Sequence, residues 1–338
     1  MPAKSASIII PAFNAAKTIA HVLEAVLRQD CEQKLEVIAV DDGSTDKTGE
    51  IIKSFPRVKY LYQKNKGPAE ARNRGFEEST GEIVFFIDSD CVAQTDWVKK
   101  SIEHFDNPKI AVVSGSYDIA NPQFILAQCI HDEIVFRHQR RMPNYPKSFG
   151  SYNFCVRRNV FKDVGGFNAS YRWASGEDND LSYKILKKGF KIYFEKDSKV
   201  RHFHTTRLTK YLLEQFRHGL WRVKIYLDHP VMAKGDDYTF WKDLVEPPLV
   251  LSYLAATAVL LCSAEFFSQT VAFCYAGFAT LIVVEIFYGY IMAKNKTLAL
   301  FWGSVMFLRA FARTLGFMCG LTLFFPPFFA QKISKKVK

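Results

Sequence analysis

The chain of 338 residues lacks the spaced cysteines of a disulfide scaffold or a zinc site. Its seven cysteines are odd in number, scattered along the chain and without a CxxC pair, which is typical of a reducing compartment. The sequence also lacks a basic cluster with interleaved aromatics, although its net charge is +11 and its pI is about 9.2. Nucleic acid is therefore not expected as a partner, and the positive charge better suits anionic lipid headgroups or phosphate-bearing substrates.

Two glycine motifs that cradle phosphates in nucleotide-binding folds are also missing. No GxGxxG follows the first strand-like segment, and no GxxxxGK[ST] occurs anywhere. A Rossmann oxidoreductase is therefore disfavoured, and any bound phosphate must be neutralised by other groups. A divalent cation held by aspartates would serve, because a hard cation binds carboxylate oxygens of the protein and phosphate oxygens of the substrate together.

Apolar strand-like segments do alternate with helix-like segments through the first part of the chain. The segments SIIIP, LEVIAVDDGS and EIVFFIDSD each end in polar or acidic residues, and helical spacing of apolar residues separates the first two. This alternation predicts an α/β fold with a mostly parallel sheet flanked by helices. Ligands of such sheets bind beyond the carboxyl ends of the strands, so residues 11–14, 41–46 and 88–90 are expected to line the site.

Asp88 and Asp90 follow directly on a run of apolar residues in IVFFIDSD. Carboxylates at the end of a buried strand need a cation or hydrogen-bond donors nearby. The pair is therefore either a divalent metal site or a solvated turn or helix cap, and the residues alone leave both interpretations open.

Four segments, in this order and at similar spacing, resemble the family 2 glycosyltransferases, which have a GT-A fold and use nucleotide sugars. They are SIIIPAFN (7–14), VDDGSTDKT (40–48), KNKGPAEARNRG (64–75) and IDSD (87–90). The likeness continues through GSYNFCVRRNVFKDVGGFN (150–168) and GEDNDLSYKILKKGFKIYF (176–194), so it covers about residues 7–205. It implies a GT-A nucleotide-diphospho-sugar transferase fold and metal-dependent, inverting transfer from a nucleoside-diphosphate sugar, with a UDP-sugar as the expected donor.

The resemblance also implies roles for particular side chains. Asp42 accepts a hydrogen bond from the base of the nucleotide, and further nucleotide contacts fall to Pro11, Phe13, Asn14, Arg72, Asp88 and Asn153. Mn²⁺ or Mg²⁺ lies beneath the diphosphate, held by Asp88, Asp90 and, as a further candidate, His202. The local alternatives are turn residues at 11–14, a surface salt bridge for Arg72, and a surface or core position for His202.

The segment SGEDNDL (175–181) places three acids within four positions before a helix-like run. The helix dipole by itself favours acids in a first turn. In the resemblance, Glu177 and Asp178 are the catalytic pair, and Asp178 is the general base that takes the proton of the acceptor hydroxyl. The alternative function is a membrane-anchored nucleotide-sugar binding protein without turnover, which would need the donor site but no base.

The composition changes near residue 247, where long apolar runs begin. Leu249–Ala264 and Val271–Ala293 are of about spanning length and predict a helical hairpin, and the basic loop 293–296 that follows the second run is expected on the cytosolic side. The expected organisation is a cytosolic catalytic domain (1–230), a linker (231–247), a membrane region with two or three transmembrane helices (248–330) and a basic tail (331–338). The protein is therefore expected at an inner or plasma membrane, with a polyprenyl phosphate, glycolipid or other glycan as the acceptor.

Arg309 and Arg313 lie one helical turn apart in the apolar stretch 297–330. Arginine is costly inside a membrane and needs an anionic partner. We interpret residues 297–313 as an interfacial segment, 315–325 as a dipping or spanning one, and the two guanidinium groups as binding either the phosphate of a lipid acceptor or ordinary anionic headgroups. The nearby segment EQFRHGLWRVK does not match the QxxRW element of processive synthases, so polymerisation is not predicted.

Overall fold

The computed structural model describes residues 4–336 except 174, 232–236, 238–240 and 263–266. The chain folds into two compact units. The sheet unit comprises Met1–Pro122, Arg137–His204 and Asp236–Tyr238, and the helical unit comprises Gln123–Phe136, Thr205–Gly235 and Thr239–Lys338.

The sheet unit is built on one eight-stranded sheet. Its strands are β1 (Ala6–Ala12), β2 (Leu35–Asp41), β3 (Val58–Tyr62), β4 (Ile83–Ile87), β5 (Cys91–Ala93), β6 (Ile110–Ile119), β7 (Asn153–Arg157) and β8 (Lys191–His202), in the spatial order β3-β2-β1-β4-β7-β6-β8-β5. The pairs β1/β2, β2/β3, β1/β4 and β6/β8 are parallel, whereas β4/β7, β6/β7 and β5/β8 are antiparallel. The predicted α/β fold with a mostly parallel sheet is confirmed, and the antiparallel strands β5 and β7 are additions.

Helices cover both faces of this sheet. They are α1 (Ile19–Leu27), α2 (Thr48–Lys53), α3 (Pro68–Glu77), α4 (Trp97–Ile102), α6 (Arg158–Asp163) and α7 (Glu177–Lys187), while α5 (Ile125–Arg141) begins in the helical unit. Alternate residues of β1 enter different cores, since Ile8 packs with α1 and α4 and Ile9 packs with α3, α6 and α7. Burial on both faces explains why the strands read as continuous apolar runs.

The three-residue strand β5 determines where the DSD turn lies. It pairs antiparallel with the end of β8, so that Cys91 lies opposite His202. The pairing continues one residue further, where the Phe203 amide donates to the Asp90 carbonyl at 2.9 Å. Residues more than a hundred positions apart in sequence therefore meet at one edge of the sheet.

The helical unit contains the first part of α5 together with four long helices. These are α8 (Leu208–Asp228), α9 (Trp241–Cys262), α10 (Phe267–Met292) and α11 (Ala299–Lys336). By length and composition, Ala272–Met292 and Lys296–Pro327 could each cross a membrane, with mean hydropathies of 1.7 and 1.3. The first apolar run of the sequence falls in α9, and its last two residues lie outside the described part of the chain. The predicted division of 297–330 into two segments is wrong, because α11 runs through it as one helix.

The structure also moves the expected boundary at residue 230, since Thr205–Gly235, and α8 with it, belong to the helical unit. The cause is a close crossing of α8 and α11 at glycines. A Cβ atom on Gly320 would lie 2.5 Å from the Leu220 carbonyl oxygen, and one on Gly316 would collide with the Phe216 carbonyl. Small residues of this kind let two helix backbones approach closely.

Both arginines of α11 have partners within the helical unit. The Nη1 of Arg309 donates to both carboxylate oxygens of Glu133, at 2.9 and 2.7 Å, and the side chain is 1% exposed. Arg313 donates through Nε to Gln215 at 2.8 Å and through Nη1 to Asp243 at 3.3 Å. The anionic partners expected for these arginines are therefore protein carboxylates, and the predicted lipid-phosphate clamp is wrong for Arg309.

Candidate active site

The loops that follow β1 and β2 are fastened to each other by hydrogen bonds. Asn14 adopts a positive φ of 49°, which asparagine tolerates better than most residues, and its Oδ1 accepts from the Thr45 amide at 2.8 Å. The Ala15 amide donates to Thr48 Oγ1 at 2.7 Å. Pro11 is buried, whereas Phe13 is 50% exposed and presents its ring at this edge. Phe13 and Asn14 are both exposed at this edge, and Asn14 also shapes the loop through its bond to Thr45.

Asp42 lies under this edge and fastens the segment that leads into α3. Its Oδ1 accepts from Gln63 Nε2 at 2.7 Å and from the Lys66 amide at 2.9 Å, and its Oδ2 accepts from the Gly67 amide at 2.9 Å. Gly67 needs this support because its φ is +94° and because a Cβ atom there would lie 2.5 Å from the Arg172 carbonyl oxygen. The buried carboxylate therefore organises the turn, and its contact with a nucleotide base stays a prediction.

Arg72, on α3, joins the DSD turn to the first turn of α7. Its Nη2 donates to Asp88 at 2.6 Å and its Nη1 donates to Glu177 at 3.1 Å, while the side chain is 1% exposed. The guanidinium also lies 5.3 Å from the centre of the Phe167 ring. The surface salt bridge that was one interpretation of Arg72 is thus excluded, and two predicted site carboxylates share one buried cation.

The two acids that begin α7 differ in exposure. Glu177 is 1% exposed, whereas Asp178 is half-buried and accepts from the Asn179 amide at 2.8 Å. Burial and the neighbouring Asp178 charge raise the pKa of Glu177 to about 7, although the Arg72 cation acts against them. Loss of water also raises the pKa of Asp178, against the effects of the Asn179 amide and Arg72. A carboxylate with a raised pKa is a stronger base for a hydroxyl proton.

Asp90 and His202 face each other across the β5/β8 pairing. His202 Nε2 lies 3.4 Å from Asp90 Oδ1, and ligand atoms of Asp90, Cys91 and His202 all fall within 4.8 Å of one another. Burial strongly raises the pKa of the Cys91 thiol. The oxygen and nitrogen fit adjacent positions about an octahedral ion, which lie about 3 Å apart for bonds of 2.0–2.1 Å. Asp88, the third predicted ligand, instead has one oxygen bound to Arg72.

A sequence model of the family described as "Glycosyl transferase family 2" matches residues 7–165. These residues form a family 2 glycosyltransferase domain. The match ends before α7 and β8, so Asp178 and His202 lie beyond it.

Two curated relatives extend the similarity of this glycosyltransferase domain. The "Pre-mycofactocin glycosyltransferase" of Mycobacterium tuberculosis is 27% identical over 238 residues, which are 67% of this chain and 48% of that protein. The "Glycosyltransferase AglE" of Haloferax volcanii is 28% identical over 228 residues, or 65% and 74% of the two chains. The chain thus matches about half the length of the mycobacterial protein.

A solved structure supports the fold. The mannosyltransferase PcManGT from Pyrobaculum calidifontis, in complex with GDP-Man and Mn²⁺, superposes with a TM-score of 0.57 at 18% identity. The alignment covers 92% of this chain and 87% of that one. With the mixed sheet flanked by helices, this likeness confirms the predicted GT-A fold.

Asn153 requires a correction. The resemblance predicts it in the nucleotide pocket, but in the glycosyltransferase domain it is 1% exposed and its amide is already used. Its Oδ1 accepts from Trp97 at 2.7 Å, and its Nδ2 donates to the carbonyls of Ser116 and Ser198. Asn153 therefore holds α4, β6 and the β8 region together, since a buried amide must satisfy each of its polar atoms.

Several neighbours of the site were not predicted from the sequence. They are Ser151, which donates to Glu177 at 3.4 Å, Cys91 beside the metal position, and His204, which contacts His202. The HFH alternation places both histidines on one side of an extended strand, and this was the available signal.

Proposed function

We propose that this chain transfers a sugar from a nucleoside-diphosphate sugar, expected to be a UDP-sugar, to a membrane-associated acceptor such as a polyprenyl phosphate or glycolipid. The reaction uses Mn²⁺ or Mg²⁺ and inverts the anomeric configuration. One observation carries the proposal: Arg72 binds Asp88 of the DSD turn and Glu177 of α7 together. That contact brings the residues proposed for the donor and those proposed for the acceptor to one edge of the sheet.

Asp178 acts as the general base in this proposal. It is half-buried at the start of α7, and its raised pKa makes it a stronger base for the hydroxyl proton. The oxygen of an acceptor hydroxyl, either a sugar hydroxyl of a glycolipid or the P–OH of polyprenyl phosphate, attacks the anomeric carbon and forms the new C–O bond while the bond to the diphosphate breaks. The hydroxyl proton passes to Asp178, and the nucleoside diphosphate leaves with the bonding electron pair. One displacement of this kind inverts the configuration.

Asp90 and His202 would hold the divalent cation, with Asp88 at the third predicted position. The bound cation would neutralise the diphosphate and stabilise the departing nucleoside diphosphate. Support comes from the 3.4 Å separation of Asp90 and His202 and from the Mn²⁺ and GDP-Man of PcManGT. Arg72 orients Asp88 through its hydrogen bond of 2.6 Å.

The helical unit supports a membrane-associated acceptor. Two of its helices are long and apolar enough to cross a membrane, and both expose large apolar side chains, among them Phe273, Phe287, Leu300 and Leu308. We place the glycosyltransferase domain on the cytosolic side, because the basic loop after α10 and the scattered reduced cysteines fit that side.

The test uses the purified full chain in lipid vesicles with a panel of UDP-, GDP- and dTDP-sugars, and it measures release of the nucleoside diphosphate. We expect release from one nucleotide class, dependence on Mn²⁺ or Mg²⁺, and acceleration by added polyprenyl phosphate. The anomeric proton of the first product, followed by NMR, should show inversion. Donor binding without release by any sugar would favour the non-catalytic binding protein.

Asp90→Asn is the matching variant for the metal. A neutral amide is a poorer ligand for a hard cation, so we expect loss of turnover and of the metal-dependent part of donor binding. Asp96→Asn is the control, because Asp96 lies six residues further along the chain and its carboxylate, 42% exposed, pairs with Lys100 at 2.7 Å. Unchanged metal dependence of donor affinity in Asp90→Asn, measured by calorimetry, would remove Asp90 from the site.

A further inference from the structure

Two histidines, His202 and His204, contact each other next to the proposed metal position. His202, at the end of β8, points its Nε2 towards Asp90, and its other ring nitrogen, Nδ1, lies 2.9 Å from Nδ1 of His204. The two rings are nearly perpendicular, at 86°, with centres 4.4 Å apart. The His202 side chain is 20% exposed, whereas His204 is only 4% exposed.

The backbone of His204 is fixed by two hydrogen bonds to the side chain of Asn121. Asn121 Nδ2 donates to the His204 carbonyl at 2.8 Å, and the His204 backbone amide donates to Asn121 Oδ1 at 3.1 Å. Tyr117 packs beside both rings, with ring-centre distances of 5.2 Å to His202 and 5.9 Å to His204. Tyr117 is in turn stacked on Tyr152 at 3.6 Å. The position of His204 is therefore set by groups that do not include the metal ligands.

The contact between the two Nδ1 atoms restricts the tautomers. A hydrogen bond between two neutral imidazoles needs one N–H and one lone pair, so just one of the two Nδ1 atoms carries a proton. If His202 carries it, its Nε2 has a lone pair directed towards Asp90. If His204 carries it, His202 must bear its proton on Nε2 and cannot ligate through that atom.

The distance to Asp90 favours the first arrangement. An N–H of His202 that donated to the Asp90 carboxylate would shorten the contact to about 2.7–2.9 Å if the pair were charge-assisted. The observed separation is 3.4 Å. A lone pair on Nε2 facing a carboxylate oxygen gives such a longer separation, with room for a cation that both atoms bind.

From these contacts we infer that His204 is a positioning residue for the metal ligand His202. It accepts the Nδ1–H of His202, fixes the tautomer and ring orientation, and so directs the Nε2 lone pair towards the cation. Metal-bound histidines commonly need such a second hydrogen bond, and its loss typically lowers metal affinity about 10–100-fold. The inference rests on the proposed function, because it assumes that Asp90 and His202 bind the ion.

The direct test observes the tautomer in the wild-type protein. The full chain is labelled with ¹⁵N-histidine, and the His202 signals are assigned by comparison with His202→Ala. We expect the proton of neutral His202 on Nδ1 in the metal-free protein. A proton on Nε2 would overturn the inference without the need for any His204 variant to fold.

The second test measures affinity for Mn²⁺ alone from the EPR signal of the free ion. His204→Phe keeps a ring but has no acceptor, and we expect affinity to fall about 10–100-fold. His204→Asn places an oxygen acceptor near the former Nδ1 and should recover most of that loss. Adding His204→Phe to His202→Ala should cost nothing further, because the two residues act through one ligand.

The outcomes distinguish failure of the proposed metal site from failure of the proposed role of His204. If His202→Ala leaves Mn²⁺ affinity unchanged, the metal site of the proposed function is wrong. If His202→Ala weakens binding but folded His204→Phe binds Mn²⁺ as the wild type does, the metal site stands and the positioning role of His204 is overturned.

Discussion

Each unit of the molecule has, among its described residues, an arginine that is only 1% exposed, and these two arginines differ in what their partners do. Arg72 and Arg309 are each 1% exposed, and each binds a carboxylate more than a hundred residues away. The partners of Arg72 include Asp88, whose side chain is 30% exposed at the proposed donor site. Glu133, the partner of Arg309, is only 8% exposed. Burial of an arginine therefore does not distinguish a candidate active site from a structural ion pair, whereas the exposed fraction of its carboxylate partner does.

The energetics of buried ion pairs give this comparison measurable consequences. Removing one partner of such a pair is strongly destabilising because it leaves an uncompensated charge, whereas replacing both by apolar residues is often neutral. For Arg309 and Glu133 we expect effects on stability with donor binding retained. For the partners of Arg72 we expect effects on transfer and its pH dependence.

The largest effect is expected for Glu133→Gln, which removes the carboxylate that Arg309 binds at 2.7 Å and leaves it with the Glu246 carboxylate at 4.0 Å. We expect the free energy of unfolding to fall by about 3–5 kcal/mol, measured by chemical denaturation in detergent. The double variant Glu133→Leu with Arg309→Met removes both charges and should recover most of that loss. Asp228→Asn is the exposed control, since its pair with Lys224 is worth about 1 kcal/mol or less. Stability unchanged in Glu133→Gln would show that this pair is not a buried structural element.

The next effect is catalytic. Asp178→Asn should lower the rate of transfer about 10²-fold or more, the usual scale for a lost general base, with donor affinity nearly intact. Asp180→Asn is the matched control in the same helical turn, because that carboxylate pairs with Lys184 at 2.8 Å. Initial rates and donor calorimetry check both variants. A variant that lost donor affinity but kept its rate per bound donor would place Asp178 in the donor pocket.

A smaller effect, on the pH dependence of kcat, tests the role of Arg72. The base must be ionised, so kcat should fall as the pH drops through the raised pKa of Asp178, and the Arg72 cation holds that pKa down. Arg72→Gln should therefore move the acid limb of the kcat profile to higher pH, in addition to lowering the rate. Arg72→Lys keeps the charge and should leave the limb nearer its wild-type position. Equal acid limbs in Arg72→Gln and the wild type would show that the cation does not act on the base.

In the sheet unit, the sequence predicted which strand ends meet at one edge of the sheet. The carboxyl ends of β1, β2 and β4 meet at one edge by the geometry of parallel strands, so Asn14, Asp42 and Asp88 were assigned to it correctly. The meeting of Asp90 with His202 depends on β5, and a three-residue strand carries no periodic signal. Arg72 and Glu177 are 105 residues apart, and no local pattern links them.

The sequence predicted less of the helical unit. Apolar length identified α10 and most of α11, because a spanning helix must be long and apolar. It did not assign α8 to this unit, since that depends on close packing at Gly316 and Gly320 on a distant helix. It also did not pair Arg309 with Glu133, which is 176 residues away in a helix of mixed composition. Tertiary partners of single charges are not encoded in local periodicity.

The smallest predicted effect tests whether the carboxylate partners of the two arginines are alike. Glu177 has an ordinary pKa near 4.5 in the unfolded chain and one of about 7 in the folded protein. Between these values the folded protein keeps a proton that the unfolded chain has released. Folding stability due to Glu177 is therefore full below the unfolded pKa and is lost as the pH rises towards the folded one.

Glu177→Gln removes that titration, because an amide resembles the protonated acid. We expect its thermal midpoint to be close to that of the wild type near pH 5 and above it near pH 8, measured by intrinsic fluorescence on the full chain. The excess should grow with pH across this window. If the variant were instead less stable than the wild type by a constant amount, Glu177 would be ionised throughout and its bond to Arg72 would stabilise the fold. Arg72 and Glu177 would then be a structural ion pair of the same kind as Arg309 and Glu133. The proposed difference between the partners of the two arginines would not hold for Glu177.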